Sequence, residues 1–529
     1  ELLDWLAAEL IHADWSLKHI QRLIVTSEAY QMTSRVTDPH AEEVDPNNLW
    51  LHRQSMQRLE AEAIRDSLLS IAGGLNAVRI NMSHGNYDEH AARIKTAREA
   101  AASLGVPISI LADLSGPKIR TRSLKDGKPV ELVKGSRFVL TTREVEGSDK
   151  EVSTNFAELP KAVEPGARIL IDDGAIELVV DSETGTDVVT TVVVGGILNE
   201  RKGINLPNTP LPIPSMTEKD HNDLEWAMSQ NVDYVALSFV RTAQDCIEAK
   251  NKIKALNKRT VGRPLLVAKI EKAEAIDNLL EIIEATDAVM VARGDLGVET
   301  SVELVPVYQK RIIELAVMHD KLVITATQML QSMIENPFPT RAEASDVANA
   351  VWDGTDAVML SAETATGGHP IEAVKMMAKI IDSAETIKPE QLKRPVKFAQ
   401  PPSGRTSQAL CKAAAYAAKE IETEKVAVFT ESGLMARRLS SVRSGLQTFA
   451  LTTSRDACSQ LALVWGVKPL VHEGADSTGK MLKVGERTLI DANVVTNGET
   501  LIMMAGRLSG LGLSSSVIVW TIGEEMARR

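Results

Sequence analysis

The chain has 529 residues with 59 Lys plus Arg against 71 Asp plus Glu, a formal net charge of −12 that argues against nucleic acid or an anionic membrane as the main partner. Hydrophobic residues at 44% and charged residues at 25% suit a soluble globular protein, and at roughly 150 residues per domain the length predicts three to four domains. No apolar run approaches the ~18 residues of a membrane span. The opening ELLDWLAAEL lacks the basic start of a signal peptide, and Cys246, Cys411 and Cys458 match no CxxC spacing. A cytoplasmic, reducing setting is expected.

Residues 1–73 read as a helical leader: LLDWLAAELI, SLKHIQRLIVTSEAY and RLEAEAIRDSLLSIAGGL carry apolar residues at three- and four-residue spacing, and Gly73-Gly74 stops the last of them. Three of the seven Trp (Trp5, Trp15, Trp50) fall in this opening, so it looks foreign to the rest. From Leu75 short apolar strands alternate with amphipathic helices: AVRIN (77–81), ISILAD (108–113), YVALS (234–238), LLVAKIE (265–271), AVMVA (288–292), LVITAT (322–327) and AVMLS (357–361). Alternation of this kind implies a parallel sheet covered by helices, and this many units point to a barrel. Between the second and third strands, residues 118–214 read as an inserted all-β domain of Val/Thr/Ile runs broken by DG, EG, PG and TG turns. A Pro-rich basic linker (387–404) follows the barrel segments, which cover 74–117 and 215–386. Residues 405–529 form a smaller α/β domain with strands in KVAVFTESG, TFALTT, KPLV and SSVIVW.

In a barrel the C-terminal strand ends converge on one face. Here they are polar or charged: Arg79, Asn81 and Ser83; Asp113; Ser238; Lys269 and Glu271; Arg293, Gly294 and Asp295; Thr327; Ser361 and Glu363. One such end means little; seven together point to a site. In AKIEKAE, Lys269 and Glu271 stand two apart on a strand and share a face. That pairing suits a hard divalent cation beside transferring negative charge. In VARGDLG, Gly294 permits a sharp turn, and the following amides open a helix toward an anion, with Asp295 as a second carboxylate. Alone, an Arg-Gly-Asp run reads as a surface turn.

RINMSHG, LADLSGPKIRTR, RKGINLP, SFVR, AKIEKAEAIDNL, VMVARGDLGVE, TATQMLQSM, NPFPTRAEASDVANAVWDGTDAVMLSAETATG and FTESG together resemble the pyruvate kinase family, from about Gly74 to the C-terminus. The resemblance implies a (β/α)8 barrel with an inserted β lid, a C-terminal effector and assembly domain, and phosphoryl transfer from phosphoenolpyruvate to ADP, giving pyruvate and ATP. It implies that Lys269 stabilises the transferring group and that Glu271 and Asp295 hold Mg²⁺ (or Mn²⁺). Arg79 then binds the phosphate, the backbone from Ala292 through Arg293 and Gly294 to Asp295 cradles the carboxylate, and Thr327 and Ser361 lie on the proton-relay side. His84, Arg120 and Lys202 resemble nucleotide contacts. A monovalent-cation site in the family corresponds to Asn81, Ser83, Asp113 and the carbonyl of Leu114. Thr430, Glu431, Ser432 and Gly433 match a phosphorylated-effector loop, for which a plain helix cap is the other reading. GRLSGLGLSSS (506–516) is a candidate second wall of that loop's site. The family assembles as a homo-oligomer, a tetramer.

Two departures matter. Lys118 stands where potassium-dependent members carry Glu, and its ammonium predicts turnover without K⁺; the alternative is that it pairs with a surface acid. The family's first barrel strand, expected some 25 residues before Arg79, is absent. In its place stand helices resembling the end of a bacterial domain family of unknown function, and only RLIVTS (22–27) has the composition to substitute as a strand. The expectation is therefore a pyruvate kinase, impaired if the barrel does not close, with a catalytically inactive chimera that keeps ligand binding or assembly as the alternative.

Overall fold

All seven strands expected in the strand–helix region form one parallel sheet in the computed structural model. The structure describes Glu9 and residues 75–207, 209, 213–259, 262–387, 405–505 and 516–524. The helical leader apart from Glu9, the substitute strand at 22–27, nearly all of the linker and the glycine-rich wall up to residue 515 lie outside the described residues. The chain divides into two compact units, Glu1–Ile64 and Arg65–Arg529, and every strand and helix named below belongs to the second.

The sheet begins with β1 (Ala77–Asn81) and β2 (Ser109–Asp113). An insertion follows, with β3 (Val130–Leu132), β4 (Arg137–Thr141), β5 (Glu151–Ser153), β6 (Arg168–Ile171), β7 (Ile176–Glu183), β8 (Asp187–Val194), β9 (Gly196–Leu198) and β10 (Ile204–Asn205). The sheet resumes with β11 (Tyr234–Leu237), β12 (Leu265–Ile270), β13 (Ala288–Ala292), β14 (Leu322–Ala326) and β15 (Ala357–Met359). Its strand order is β1-β2-β11-β12-β13-β14-β15. Among the described residues β1 pairs only with β2 and β15 only with β14. The eighth strand of a closed barrel belongs between those two edges.

Side-chain alternation sorts the strand residues into two layers. Ile110, Val235, Leu266, Val289 and Val323 face outward and pack with helix residues such as Ile253, Ile282 and Ile312. Leu111, Tyr234, Val267, Met290 and Ile324 face inward as a second cluster. Both faces are apolar, which is why these strands read as continuous hydrophobic runs.

The insertion is a six-stranded sheet, β10-β6-β7-β8-β4-β5, with β3 and β9 paired beside it, around Phe138, Leu140, Ile169, Leu178 and Val192. The C-terminal region forms a five-stranded sheet from β16 (Lys425–Phe429), β17 (Gln447–Thr452), β18 (Val467–Val471), β19 (Thr500–Ala505) and β20 (Ser516–Thr521), ordered β18-β17-β16-β19-β20. Strand β19 has no counterpart among the expected strands. Its TLIMMA run has no alternation and one β-branched apolar residue, yet it lies between β16 and an antiparallel β20 with Leu501 to Ala505 buried. Tertiary burial, not local propensity, makes it a strand.

Two helices of this C-terminal region, Leu434–Ser441 and Arg455–Leu461, cover the N-terminal end of the barrel. Ala436, Leu461, Leu463 and Val464 join the inward cluster of the strands. The Tyr234 hydroxyl donates to the Gln460 carbonyl at 2.6 Å. Arg443 pairs with Asp356 at 3.0 Å and lies 4.7 Å from the Trp465 ring centre.

Asp233, at the same junction, accepts the Ile110 N–H at 2.9 Å, and burial pushes its carboxyl from 3.8 up to about 7. The folded state therefore holds a proton that the unfolded chain has released. This stabilisation is complete below the unfolded value and is lost as pH rises through the folded one. Asp233→Asn is expected to flatten the fall in thermal midpoint between about pH 4 and about pH 7. An unchanged slope in a pH series of melting curves contradicts the assignment.

Candidate active site

The inward face of the strands changes character at their C-terminal ends. Two residues beyond Ala77 comes Arg79, beyond Leu111 comes Asp113, beyond Ala236 comes Ser238, and beyond Val267 come Lys269 and then Glu271. Strand periodicity keeps each polar residue in phase with the apolar interior below it. The result is one hydrogen-bonded cluster. Lys269 Nζ lies 2.8 Å from Glu271 Oε1 and 3.4 Å from Asp113 Oδ1, and donates to Ser238 Oγ at 2.8 Å. Arg79 Nε donates to Asp113 Oδ2 at 2.6 Å. Ser238 Oγ donates to the Leu114 carbonyl at 2.7 Å, and the Phe239 N–H donates to Glu271 Oε2 at 2.7 Å.

Charge organises the cluster. Burial alone raises the Asp113 carboxyl, but the Lys269 ammonium and the Arg79 guanidinium outweigh it and hold the group below its ordinary value. Burial alone lowers Lys269; Asp113 and Glu271 overcome it and push the ammonium well up, so it stays charged at neutral pH. Glu271 is raised, first by burial and also by the negative charge of Asp295, against the pull of Lys269. Two carboxylates in mutual repulsion, one of them buried, form a donor set that a hard cation relieves. No group of three or more His, Cys, Asp or Glu placed for a metal occurs among the described residues. Mg²⁺ needs none, because it takes one or two carboxylates and completes its shell with water and substrate oxygens.

Beside the cluster, Ala292 ends β13 and the helix Arg293–Glu299 begins at once. A Cβ on Gly294 would meet Thr327 Cγ2 at 2.9 Å, so only glycine lets these two segments touch. Thr327 has φ 77°, a strained value for a β-branched residue. The Arg293 side chain holds that turn: it donates to the Thr327 carbonyl at 2.6 Å and pairs with Asp346 at 2.6 Å. Its guanidinium is thereby tied to the Thr327 turn and to Asp346.

Other expected residues lie around this centre. Asn81 stands opposite Asp113 across β1 and β2, and its Oδ1 accepts the Ser83 N–H at 3.0 Å. Ser361 precedes a short helix, and its N–H reaches the buried Glu363 carboxylate at 2.7 Å. That carboxylate also accepts the Leu330 N–H. Arg120 and Lys202 come together within the insertion, where Arg120 bridges Gly203 and Lys202 pairs with Asp172 at 2.9 Å. Among the described residues Arg120 and Lys202 make no hydrogen bond or ion pair with the Lys269 cluster, and His84 is exposed. Thr430, Glu431, Ser432 and Gly433 link β16 to the helix Leu434–Ser441, with Gly433 at φ 74° and no side-chain cap. Lys118 makes no ion pair among the described residues, so the surface-acid alternative finds no partner there. It lines a cleft together with Phe239, Arg241, Lys272 and Glu299.

Sequence reasoning placed Ser238 and Glu363 among the polar strand ends without giving either a partner, and it did not single out the Phe239 amide or Asp346. Those two act across separations of 32 and 53 residues, which leave no periodic trace.

A family model described as pyruvate kinase, barrel domain, matches residues 60–374, and one described as pyruvate kinase, alpha/beta domain, matches residues 408–519. A pyruvate kinase of Staphylococcus saprophyticus is 40% identical over 479 residues, spanning 89% of this chain and 79% of its own length. One from Sporosarcina psychrophila is 40% identical over 472 residues, 87% of this chain and 78% of its own. The crystal structure of a pyruvate kinase from Cryptosporidium parvum is similar at TM-score 0.79 and 31% identity, covering 87% of this chain and 93% of that one.

Proposed function

The chain belongs to the pyruvate kinase family, and from that membership we infer that it moves the phosphoryl group of phosphoenolpyruvate to ADP, forming pyruvate and ATP, a step of glycolysis. The observation that carries this reading is the cluster of Lys269, Glu271, Asp113, Arg79 and Ser238 on adjacent strand ends of a curled parallel sheet. Nothing in the comparisons or the geometry favours an inactive chimera. A coupled assay for pyruvate and ATP, with phosphoenolpyruvate, ADP and Mg²⁺, tests the reading; no product from folded protein contradicts it.

Family members generally use Mg²⁺ and K⁺. In this chain Glu271 and Asp295 are proposed to hold Mg²⁺ (or Mn²⁺), which when bound supplies neutralising charge to the phosphoryl oxygens. Lys269, fixed as an ammonium by Asp113 and Glu271, meets the negative charge that builds on the transferring group. Arg79, anchored through Asp113, presents the rest of its planar fork to the phosphate. The backbone of Ala292 to Asp295 opens a helix toward the substrate carboxylate. Thr327, held in its strained turn by Arg293, and Ser361 lie on the side that protonates the enolate.

Residues 74–117 and 215–386 are proposed as the barrel domain, 118–214 as a lid carrying Arg120 and Lys202 toward the nucleotide with His84 opposite, 387–404 as a linker and 405–529 as the effector and assembly domain. Thr430 to Gly433 are proposed to receive a phosphorylated effector at an uncapped helix start. Homo-oligomerisation is proposed from the family membership. Among the described residues no helix is long and apolar enough to cross a membrane. A cytoplasmic site of action is proposed from the soluble substrates of the reaction.

The monovalent cation is proposed to be dispensable. Three of the four oxygen donors of its expected site are already engaged: Asp113 by Arg79 and Lys269, the Leu114 carbonyl by Ser238, and Asn81 by the Ser83 N–H. Lys118 supplies a fixed positive charge in the adjoining cleft. Turnover is expected to persist in buffer free of Na⁺ and K⁺, and Lys118→Glu to make it K⁺-dependent. Turnover of the parent chain that is lost without K⁺ and restored by adding it overturns this assignment.

A further inference from the structure

Glu299 ends the helix whose first turn carries Gly294 and Asp295, and it is 2% exposed. Two groups from other parts of the fold meet one of its oxygens. Asn205 Nδ2 donates to Oε1 at 2.8 Å, and Lys272 Nζ reaches the same atom at 2.7 Å. Asn205 belongs to β10, the last strand of the insertion, where it is paired with Leu170 of β6. Lys272 directly follows Glu271, and its ammonium lies 5.9 Å from the centre of the Phe239 ring, whose backbone N–H holds Glu271. One carboxylate therefore ties together the insertion, the strand end bearing Glu271 and the helix bearing Asp295.

A buried ion pair with an amide is a costly way to join two parts of a fold, and apolar packing does so with less desolvation. What the polar joint adds is direction, because hydrogen bonds to a charged oxygen constrain both distance and angle. Lys202 lies three residues before Asn205 on the segment that returns from the insertion, and Arg120 bridges Gly203 of that same segment. A displacement of Asn205 thus carries the nucleotide-side residues with it.

We propose that Glu299 is a positioning residue for phosphoryl transfer: by holding Asn205 and Lys272 on one oxygen, it sets the insertion over Glu271 and Asp295 in the position that ADP requires. The proposal rests on the reading of the insertion as a lid over the metal carboxylates. Its signature is selective for the nucleotide, because phosphoenolpyruvate contacts Arg79 and the helix start, which the joint leaves in place.

The full chain is tested by steady-state kinetics and by calorimetric titration with ADP and with phosphoenolpyruvate. Asn205→Ala removes the insertion's half of the joint and leaves the Glu299–Lys272 pair intact. It is expected to weaken ADP, in KM and in calorimetric Kd, by about tenfold, the loss typical of a hydrogen bond to a charge. Phosphoenolpyruvate affinity should stay within about twofold of the parent. Combining Asn205→Asp with Glu299→Gln rebuilds the hydrogen bond with its polarity reversed and keeps a carboxylate for Lys272, so ADP affinity should recover. Equal weakening of both substrates, an unchanged ADP affinity, or an exchange variant no better than Asn205→Ala overturns the proposal. A parent chain that binds ADP without turnover defeats the functional reading, while the ADP titrations still decide the role of Glu299.

Discussion

Lys269→Met is expected to lower turnover by about 10²–10³-fold, the loss seen when one preorganised electrostatic contact to a transition state is deleted. The physical reason is local. Among the described residues Lys269 is the one cation in contact with both Asp113 and Glu271, and their charges keep it protonated in a buried setting. Methionine has a similar reach and no charge. Asp113 retains Arg79 at 2.6 Å, whereas Glu271 keeps the Phe239 N–H. A carboxylate buried without its cation costs about 3–5 kcal/mol, so a lower thermal midpoint should accompany the kinetic loss. Glu271, already raised, limits that cost by taking up a proton. Circular dichroism separates the two effects, because a folded variant with parental turnover contradicts the role of Lys269.

The second large effect is expected at Glu271. Glu271→Gln preserves shape and an acceptor for the Phe239 N–H while removing one of two anionic oxygen donors. The Mg²⁺ concentration for half-maximal rate should rise by about 10–100-fold or more, since even partners one step removed from a metal change affinity by that factor. The substitution ends the repulsion between Glu271 and Asp295, but it also leaves the buried Lys269 ammonium without its carboxylate at 2.8 Å, so a lower thermal midpoint should accompany the weakened metal binding. A Mg²⁺ titration of the rate decides it, and a curve matching the parent's means that Glu271 holds no metal.

How much of this was legible in the sequence follows from the physics of each element. The seven barrel strands are apolar on both faces, so their runs stand out, and the ends become polar abruptly at Arg79, Asp113, Ser238 and Lys269. Lys269 and Glu271 were paired by spacing alone, because a strand repeats every two residues. The link from Arg79 to Asp113 was not legible. It depends on β1 lying beside β2 in the register that sets Arg79 opposite Leu111, which no local pattern encodes. Strand β19 was missed because Leu-Ile-Met-Met has no alternation and little β-branching, and only its place between β16 and β20 makes it a strand. The joint at Glu299 was invisible for a related reason: Asn205 and Glu299 are 94 residues apart, and a lone buried amide or carboxylate has no periodicity. The family resemblance supplied the role of Thr327, whereas the turn at Gly294 and the second carboxylate at Asp295 were read from the VARGDLG run itself. Geometry added that the Arg293 side chain holds the Thr327 turn.

The central claim is that the strand-end cluster around Lys269 performs phosphoryl transfer. It is tested most directly by measuring pyruvate and ATP formed from phosphoenolpyruvate and ADP with Mg²⁺, in the parent chain and in Lys269→Met side by side. The account predicts equimolar pyruvate and ATP from the parent chain and a rate lower by about 10²–10³-fold from the folded variant. Pyruvate formed without ATP, or the same rate from both proteins, contradicts it.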